Sequence, residues 1–138
     1  MLIVKTHVHA SPIAGLGLFA AEPISAGEVW WRFDDRIDRT FTQAEYEQLP
    51  SRTKEWLRTY AYLQSGVWVL CGDHGMFVNH SEMPNSVTIG NESIAIRDIA
   101  IGEEIVENYR EFCEDWPLIP FLAAQQIPAS ESTPVSPA

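Results

Sequence analysis

Positive charge is scarce in this chain of 138 residues: nine lysines and arginines stand against nineteen aspartates and glutamates, a formal net charge of −10. A surface of that sign repels phosphate backbones and attracts basic partners, so no direct nucleic-acid binding is expected. Acidity also keeps a protein soluble, and charge alone does not separate the two roles. Cysteine is scarce as well. Cys71 and Cys113 are too few for a disulfide framework and fit a reducing compartment. No apolar run approaches the roughly 20 residues that span a bilayer. The start, MLIVKTHVHASPIAG, has neither the basic opening nor the long apolar core of a secretion signal. These absences point to an intracellular protein with no membrane partner. A chain of this length forms one domain that buries roughly two thirds of its unfolded surface.

What is present is mostly short strand-like stretches. LIVKTHV (2–8), GLGLFAA (15–21), GEVWWRF (27–33), VWVLC (67–71), SVTIG (86–90), SIAIRDI (93–99) and EEIVEN (103–108) are β-branched or aromatic and lie between Gly, Pro, Asn and Ser. They predict small antiparallel sheets. A helical segment over about 42–63 interrupts them. Thr42 and Glu45 form a capping box before one helix, and Pro50-Ser51 introduces a second, SRTKEWLRTYAYL. Helical spacing predicts one buried face for Trp56, Leu57, Tyr60 and Leu63. Beyond Leu122 the Pro-, Ser- and Ala-rich composition predicts a disordered tail over 123–138. One echo is internal: Ala20, Ile24, Gly27 and Glu28 recur at Ala95, Ile99, Gly102 and Glu103, each 75 positions on. Two Gly-Glu turns of this kind would frame a β-rich domain from both ends, unless two turns have simply converged.

FVNHSEMPNSV, residues 77–87, is polar in a different way. Asn79-His80-Ser81 matches a glycosylation acceptor, which the missing secretion signal sets aside. Cys71, His74 and His80 lack the paired spacing and the fourth ligand of a zinc site. Ser81 has no nucleophile elbow around it. What remains is recognition by amide and backbone, because a Pro-containing turn holds peptide groups in fixed directions and asparagine both donates and accepts. The plain alternative is that Asn79 and Asn85 tie the turn to itself.

MFVNHSEMPNSV resembles the Arg-Phe-x-Asn-His-Ser-Cys-x-Pro-Asn signature of SET-domain protein lysine methyltransferases. GEEIVENY (102–109) resembles their Gly-Glu-Glu-Leu-x-x-Asp-Tyr signature, and SPIAGLGLFA (11–20) is similar to the Gly-x-Gly segment that opens the domain. Three motifs in the family's order, from about residue 2 to 116, make the likeness specific. It implies a mainly β fold of small antiparallel sheets with short helices, a SET domain over 1–122, and a C-terminal pseudoknot in which the chain around GEEIVENY threads beneath FVNHS. Composition would not suggest such threading.

The resemblance also implies a site. The backbone of Ala14, Gly15 and Leu16 would face the amino-acid end of S-adenosylmethionine, the Asn79 side chain would bond its amino group, and the His80 backbone would pair with adenine. The His80 imidazole would then be a structural anchor. Tyr109 would lie where the cofactor methyl meets the lysine nitrogen, as the catalytic residue at the end of a narrow channel. Phe33 would form an aromatic wall of that channel, and Trp30 and Trp31 would be core and edge packing. Thr88 stands where a channel tyrosine can occur, which leaves the number of methyl groups open. Met76, Glu82 and Asn108 depart from the usual arginine, cysteine and aspartate, and the zinc-binding cysteine cluster of many members is missing after Tyr109, where only Cys113 lies. Phe112, Trp116, Leu118, Ile119 and Phe121 would serve instead to close the channel, or would pack as an ordinary C-terminal segment. The partner implied is a lysine-rich protein substrate, met in the cytoplasm or on chromatin or nucleoid. Similar minimal members act as dimers, and the apolar segments leave room for a homodimer. Against this enzyme stand a catalytically idle SET-like binding module and an unrelated sheet domain with repeated Gly-Glu turns. The joint presence of Asn79, His80 and Tyr109 favours the enzyme.

Overall fold

The structure is a computed structural model that describes residues 1–114. In chain order its elements are β1 (Thr6–Ala10), β2 (Leu16–Ala20), β3 (Val29–Arg32), β4 (Arg39–Thr42), α1 (Gln43–Glu47), α2 (Ser51–Tyr60), β5 (Tyr62–Gln64), β6 (Val67–Leu70), β7 (Asn79–His80), β8 (Ser86–Ile89), β9 (Glu92–Ala95) and β10 (Val106–Glu107). Single 3-10 turns occupy His74–Phe77 and Tyr109–Glu111. The strands make three small sheets: β1-β2, β4-β6-β5, and a five-stranded sheet in the order β3-β9-β8-β10-β7. The expected closing segment at Trp116–Phe121 and the expected tail at 123–138 lie outside the described residues.

The five-stranded sheet carries the threading. Strand β10 is inserted between β7 and β8 and runs parallel to both, with Val106 opposite Asn79 and Glu107 opposite His80 on one side and Ser86 on the other. Only two residues long, it needs side chains to complete its pairing. Asn85, 1% exposed, supplies them: its Oδ1 accepts from the Val106 N–H at 2.9 Å and its Nδ2 donates to the Glu104 carbonyl at 2.7 Å. Its own N–H reaches the Val106 carbonyl at 3.2 Å. Asn85 therefore ties the polar turn to the threading strand, not to itself.

The internal echo is a pseudo-twofold pair, and its place differs from the expected one. The two copies lie against each other, because each short turn buries its apolar side on the other. Ile24 and Ile99 exchange both backbone hydrogen bonds, at 3.0 and 2.8 Å. Gly27 donates to Ala95 while Gly102 donates to Ala20, both at 2.7 Å. The Glu28 carboxylate accepts from the Ser25 N–H, and that of Glu103 accepts from the Ala100 N–H, each at 3.0 Å. Both glycines have φ +84°, the left-handed region that other residues rarely enter.

The main core, with Leu18, Ile24, Trp30, Trp31, Val78, Ile99 and Ile105, sits beneath this pair and the threaded sheet. A second cluster, Tyr46, Leu57, Ala61 and Trp68, joins α1 and α2 to the three-stranded sheet. The capping box at Thr42 and Glu45 is present, with both reciprocal bonds. The second helix stops at Tyr60, short of the expected Leu63, and the chain turns directly into β5. Ser65 and Gly66, at φ +52° and +75°, form the two-residue loop that pairs β5 with β6. That strand pairing overrides helical continuation. Leu57 is 2% exposed, but Trp56 is 46% exposed, so the buried face is narrower than its periodicity suggests. No described helix is long and apolar enough to cross a membrane.

Candidate active site

The site forms where the threaded strand ends. Asn108 caps the last 3-10 turn with its side chain, and Tyr109 begins that turn. The Tyr109 N–H donates to Nδ1 of His80 at 3.1 Å, and its hydroxyl donates to the Val78 carbonyl. With Nδ1 accepting, the hydrogen of a neutral His80 ring lies on Nε2, which faces Oε1 of Glu82 at 3.2 Å. The His80 ring also meets Tyr109 edge to face at 5.5 Å. Backbone bond, ring contact and hydroxyl bond together fix Tyr109 against the FVNHS stretch. Burial, then the negative charges around it, push the Tyr109 phenol well above its usual range, so it remains a hydrogen-bond donor at neutral pH.

Asn79, next to His80, meets the turn from Ser11 to Leu16. That turn is closed by the Ser11 N–H on the Gly15 carbonyl at 2.8 Å, with Gly15 at φ +46°. Asn79, 4% exposed, points its Nδ2 at the carbonyls of Ala14 and Leu16, both at 3.1 Å, and at Oε2 of Glu104 at 2.9 Å. Its Oδ1 takes no hydrogen bond from the described residues. Glu104 also accepts from Ser11 Oγ, at 2.9 Å to each oxygen. A Cβ on Gly17 would stand 2.5 Å from Glu104 Oε2, so glycine there is what lets the carboxylate approach. His80 lies opposite Glu107 on the edge strand β7. In this parallel register its own N–H and C=O point to the outer side, away from β10.

Tyr109 also lines a cavity of about 50 Å³, room for a few waters or one slender chain. Trp30, Trp31, Tyr60, Tyr62, Tyr109 and Phe112 give it aromatic walls, and Val78, Thr88, Ser93 and Glu107 also line it. The indole N–H of Trp31 is buried without an acceptor among the described residues, a donor left over beside this space. Glu107, 3% exposed, is the acidic side chain of the cavity. Its Oε1 accepts from Ser86 Oγ at 2.9 Å, and both its oxygens accept from Thr88 Oγ1 at 3.0 and 2.9 Å. Burial raises its pKa to about 7, against the lowering effect of the Ser86 and Thr88 hydroxyls.

The structure thus brings Ala14, Gly15, Leu16, Asn79, His80, Thr88 and Tyr109 to one locality. Phe33 is not on the Tyr109 cavity. It packs edge to face on Trp31 and lines a neighbouring cavity of about 140 Å³ that shares Trp31 and Tyr62. Trp30 and Trp31, expected to be core and edge packing, are both in the main core and also line the Tyr109 cavity, with a bulge in the pairing of β3 with β9 between Val29 and Trp31. Sequence reasoning missed Glu104, Asn85 and Glu107. For Glu107 a signal was available: a carboxylate directly after the apolar pair Ile105-Val106, in a strand with no exposed face. Among the described residues no group of three or more His, Cys, Asp or Glu side chains is placed to hold a metal ion.

Small sheets, a threaded parallel strand, and a tyrosine at its end define a SET-type fold. The SET domain family model matches residues 15–110, more than two thirds of the 138 residues, and the chain belongs to the SET-domain family. No curated protein sequence matches the chain. Among solved structures it is similar to a humanized mutant of Chaetomium thermophilum Polycomb Repressive Complex 2 bound to an inhibitor, with 25% identity and TM-score 0.61 over 79% of this chain and 15% of that one. The same complex in an autoinhibited conformation bound to S-adenosylmethionine matches at 22% identity and TM-score 0.64, over 88% of this chain and 17% of that one. A candidate histone methyltransferase of Plasmodium falciparum matches at 24% identity and TM-score 0.54, over 77% of this chain and 93% of that one. The chain spans only 15% to 17% of the length of the Polycomb chains.

Proposed function

We propose that the protein is an S-adenosylmethionine-dependent protein lysine methyltransferase acting on a lysine-rich protein segment. The observation that carries this reading is the position of Tyr109: held through His80 and Val78, the two neighbours of Asn79, its side chain lines an aromatic cavity of about 50 Å³. A methyl donor on one side and an alkylammonium on the other would meet there.

The donor set fits S-adenosylmethionine. Asn79 Oδ1 would accept from the ammonium of its methionine end, the Ala14 and Leu16 backbone would border that end, and the outward N–H and C=O of His80 suit an adenine edge. When bound, the cofactor would supply the methyl group as an electrophilic carbon on its sulfonium, with the sulfur leaving as a neutral thioether. The chain's own contribution is orientation. The aromatic walls admit one unbranched chain, the Val78 carbonyl and the Tyr109 hydroxyl are fixed dipoles beside the reacting atoms, and the narrow cavity excludes bulk water. An acidic surface would draw the basic substrate.

Calorimetric titration with S-adenosylmethionine tests the cofactor half. The wild type is expected to bind, and Asn79→Ala to lose at least about tenfold in affinity, the equivalent of one charged hydrogen bond. A folded wild type that does not bind would sink the reading.

A further inference from the structure

The hydroxyls around Glu107 are aligned by a donor that cannot be reversed. The indole N–H of Trp30 donates to Ser86 Oγ at 2.7 Å, so Ser86 spends its own hydrogen on Glu107 Oε1. Thr88 donates to the same carboxylate and lies 2.7 Å from Ser93 Oγ, which completes a second relay toward it. A buried carboxylate thus receives hydrogen bonds from two side chains of the neighbouring strand β8, inside a cavity with aromatic walls. Aromatic faces and one carboxylate together recognise a cation.

We propose that Glu107 pairs with the ammonium of the substrate lysine in this cavity and takes its proton, delivering the neutral amine that methyl transfer requires. This rests on the methyltransferase reading above and adds a residue to it. The step balances: an N–H bond of the ammonium breaks, its electron pair stays on nitrogen as the nucleophilic lone pair, and the proton forms an O–H bond on the Glu107 carboxylate. After transfer the methylated nitrogen carries the positive charge that left the sulfonium, and Glu107 gives its proton to solvent. No further reactant is needed.

Other titratable groups stand around Glu107 on the surrounding elements: His80 opposite it in β7, Tyr60 at the end of α2, Tyr62 in β5, Cys71 after β6, and Tyr109, Glu111 and Cys113 at the C-terminal turn. Burial pushes Tyr62, Cys71 and Tyr109 upward, away from neutrality. Glu107, at about 7, is the cavity-lining member of the set matched to proton transfer at neutral pH.

The test uses the intact protein, n-butylammonium as a probe of the cavity, and Glu107→Gln, which keeps size and hydrogen-bonding shape. By calorimetry or NMR, wild-type affinity for butylammonium is expected to rise about tenfold as pH passes upward through about 7, and Glu107→Gln is expected to lose that rise. In methyl transfer to a lysine peptide, Glu107→Gln is expected to lower kcat about 100-fold at neutral pH. The deficit should shrink toward the amine's own pKa of about 10.4, with cofactor affinity unchanged. If Glu107→Gln does not fold, the pH dependence of wild-type probe binding decides alone. Pairing of butylammonium through Glu107 in a protein that moves no methyl would sink the methyltransferase reading and keep the cation site. Transfer by Glu107→Gln with the wild-type pH profile, or pH-independent probe binding by the wild type, would overturn the proposal.

Discussion

At the scale of single residues, two buried polar side chains carry consequences that composition does not suggest. Glu107 has a folded pKa near 7 against an ordinary 4.5. Between those two pH values the folded state holds a proton that the unfolded chain has released, so stability falls as pH rises through that window and levels off above it. A shift of this size corresponds to about 3 kcal/mol. Urea denaturation of the wild type from pH 4 to 8 is expected to show that decline, and Glu107→Gln to flatten it. Equal slopes in both proteins would contradict the burial argument. Asn85 acts in the opposite sense, since both ends of its amide complete the pairing of the threaded strand. Asn85→Ala leaves the Val106 N–H and the Glu104 carbonyl without these partners. It is expected to cost about 3 kcal/mol, read by denaturation, with fast hydrogen exchange at Val106. Asn79 and Tyr109 were legible from their motifs. For Glu107 the apolar run before it signals at most a buried carboxylate; its role depends on Ser86, Thr88 and Trp30, which approach it only across the sheet.

At the scale of elements, local signals served where local energies decide. The capping box at Thr42 and Glu45 opened a helix, and five of the seven strand-like stretches contain one of the ten strands of the described residues, while 93–99 holds all of β9 but Glu92. The first, 2–8, divides: Leu2 bridges Trp31 while β1 begins at Thr6. Failures fall where distant pairing overrides propensity. Tyr62 and Leu63 read as the end of a helix but are drawn out in β5 by its partner β6, and Asn79–His80 becomes a strand only because Val106–Glu107 arrives beside it. The repeated turns test this at another level. Gly27 and Gly102 share φ +84°, and a Cβ at either would meet nothing within 4 Å, so alanine strains only the backbone. Gly27→Ala and Gly102→Ala are therefore expected to cost the same, about 1–2 kcal/mol each. A cost several-fold larger at one glycine would show that the two turns are not equivalent in the fold.

At the scale of the whole molecule, the pseudo-twofold pair places the start and the end of the domain side by side, which lets the chain after Gly102 enter between β7 and β8. That passage is the source of the site: it carries Glu107 and Tyr109 to the FVNHS stretch and onto the aromatic cavity. Separate motifs in the sequence become one constellation through a topology that no local pattern encodes, and the resemblance to a known family, not periodicity, made it legible in advance. The net charge of −10 suits a basic substrate in the same way, as a property of the molecule and not of one residue. The most direct measurement is transfer itself: labelled S-adenosylmethionine with a panel of lysine-rich proteins, the modified residue located by peptide mass spectrometry. The account predicts label on lysine with the wild type and a loss of about 100-fold or more with Tyr109→Phe. Cofactor bound by the folded wild type but label on no lysine of any substrate, or undiminished transfer by Tyr109→Phe, would contradict it.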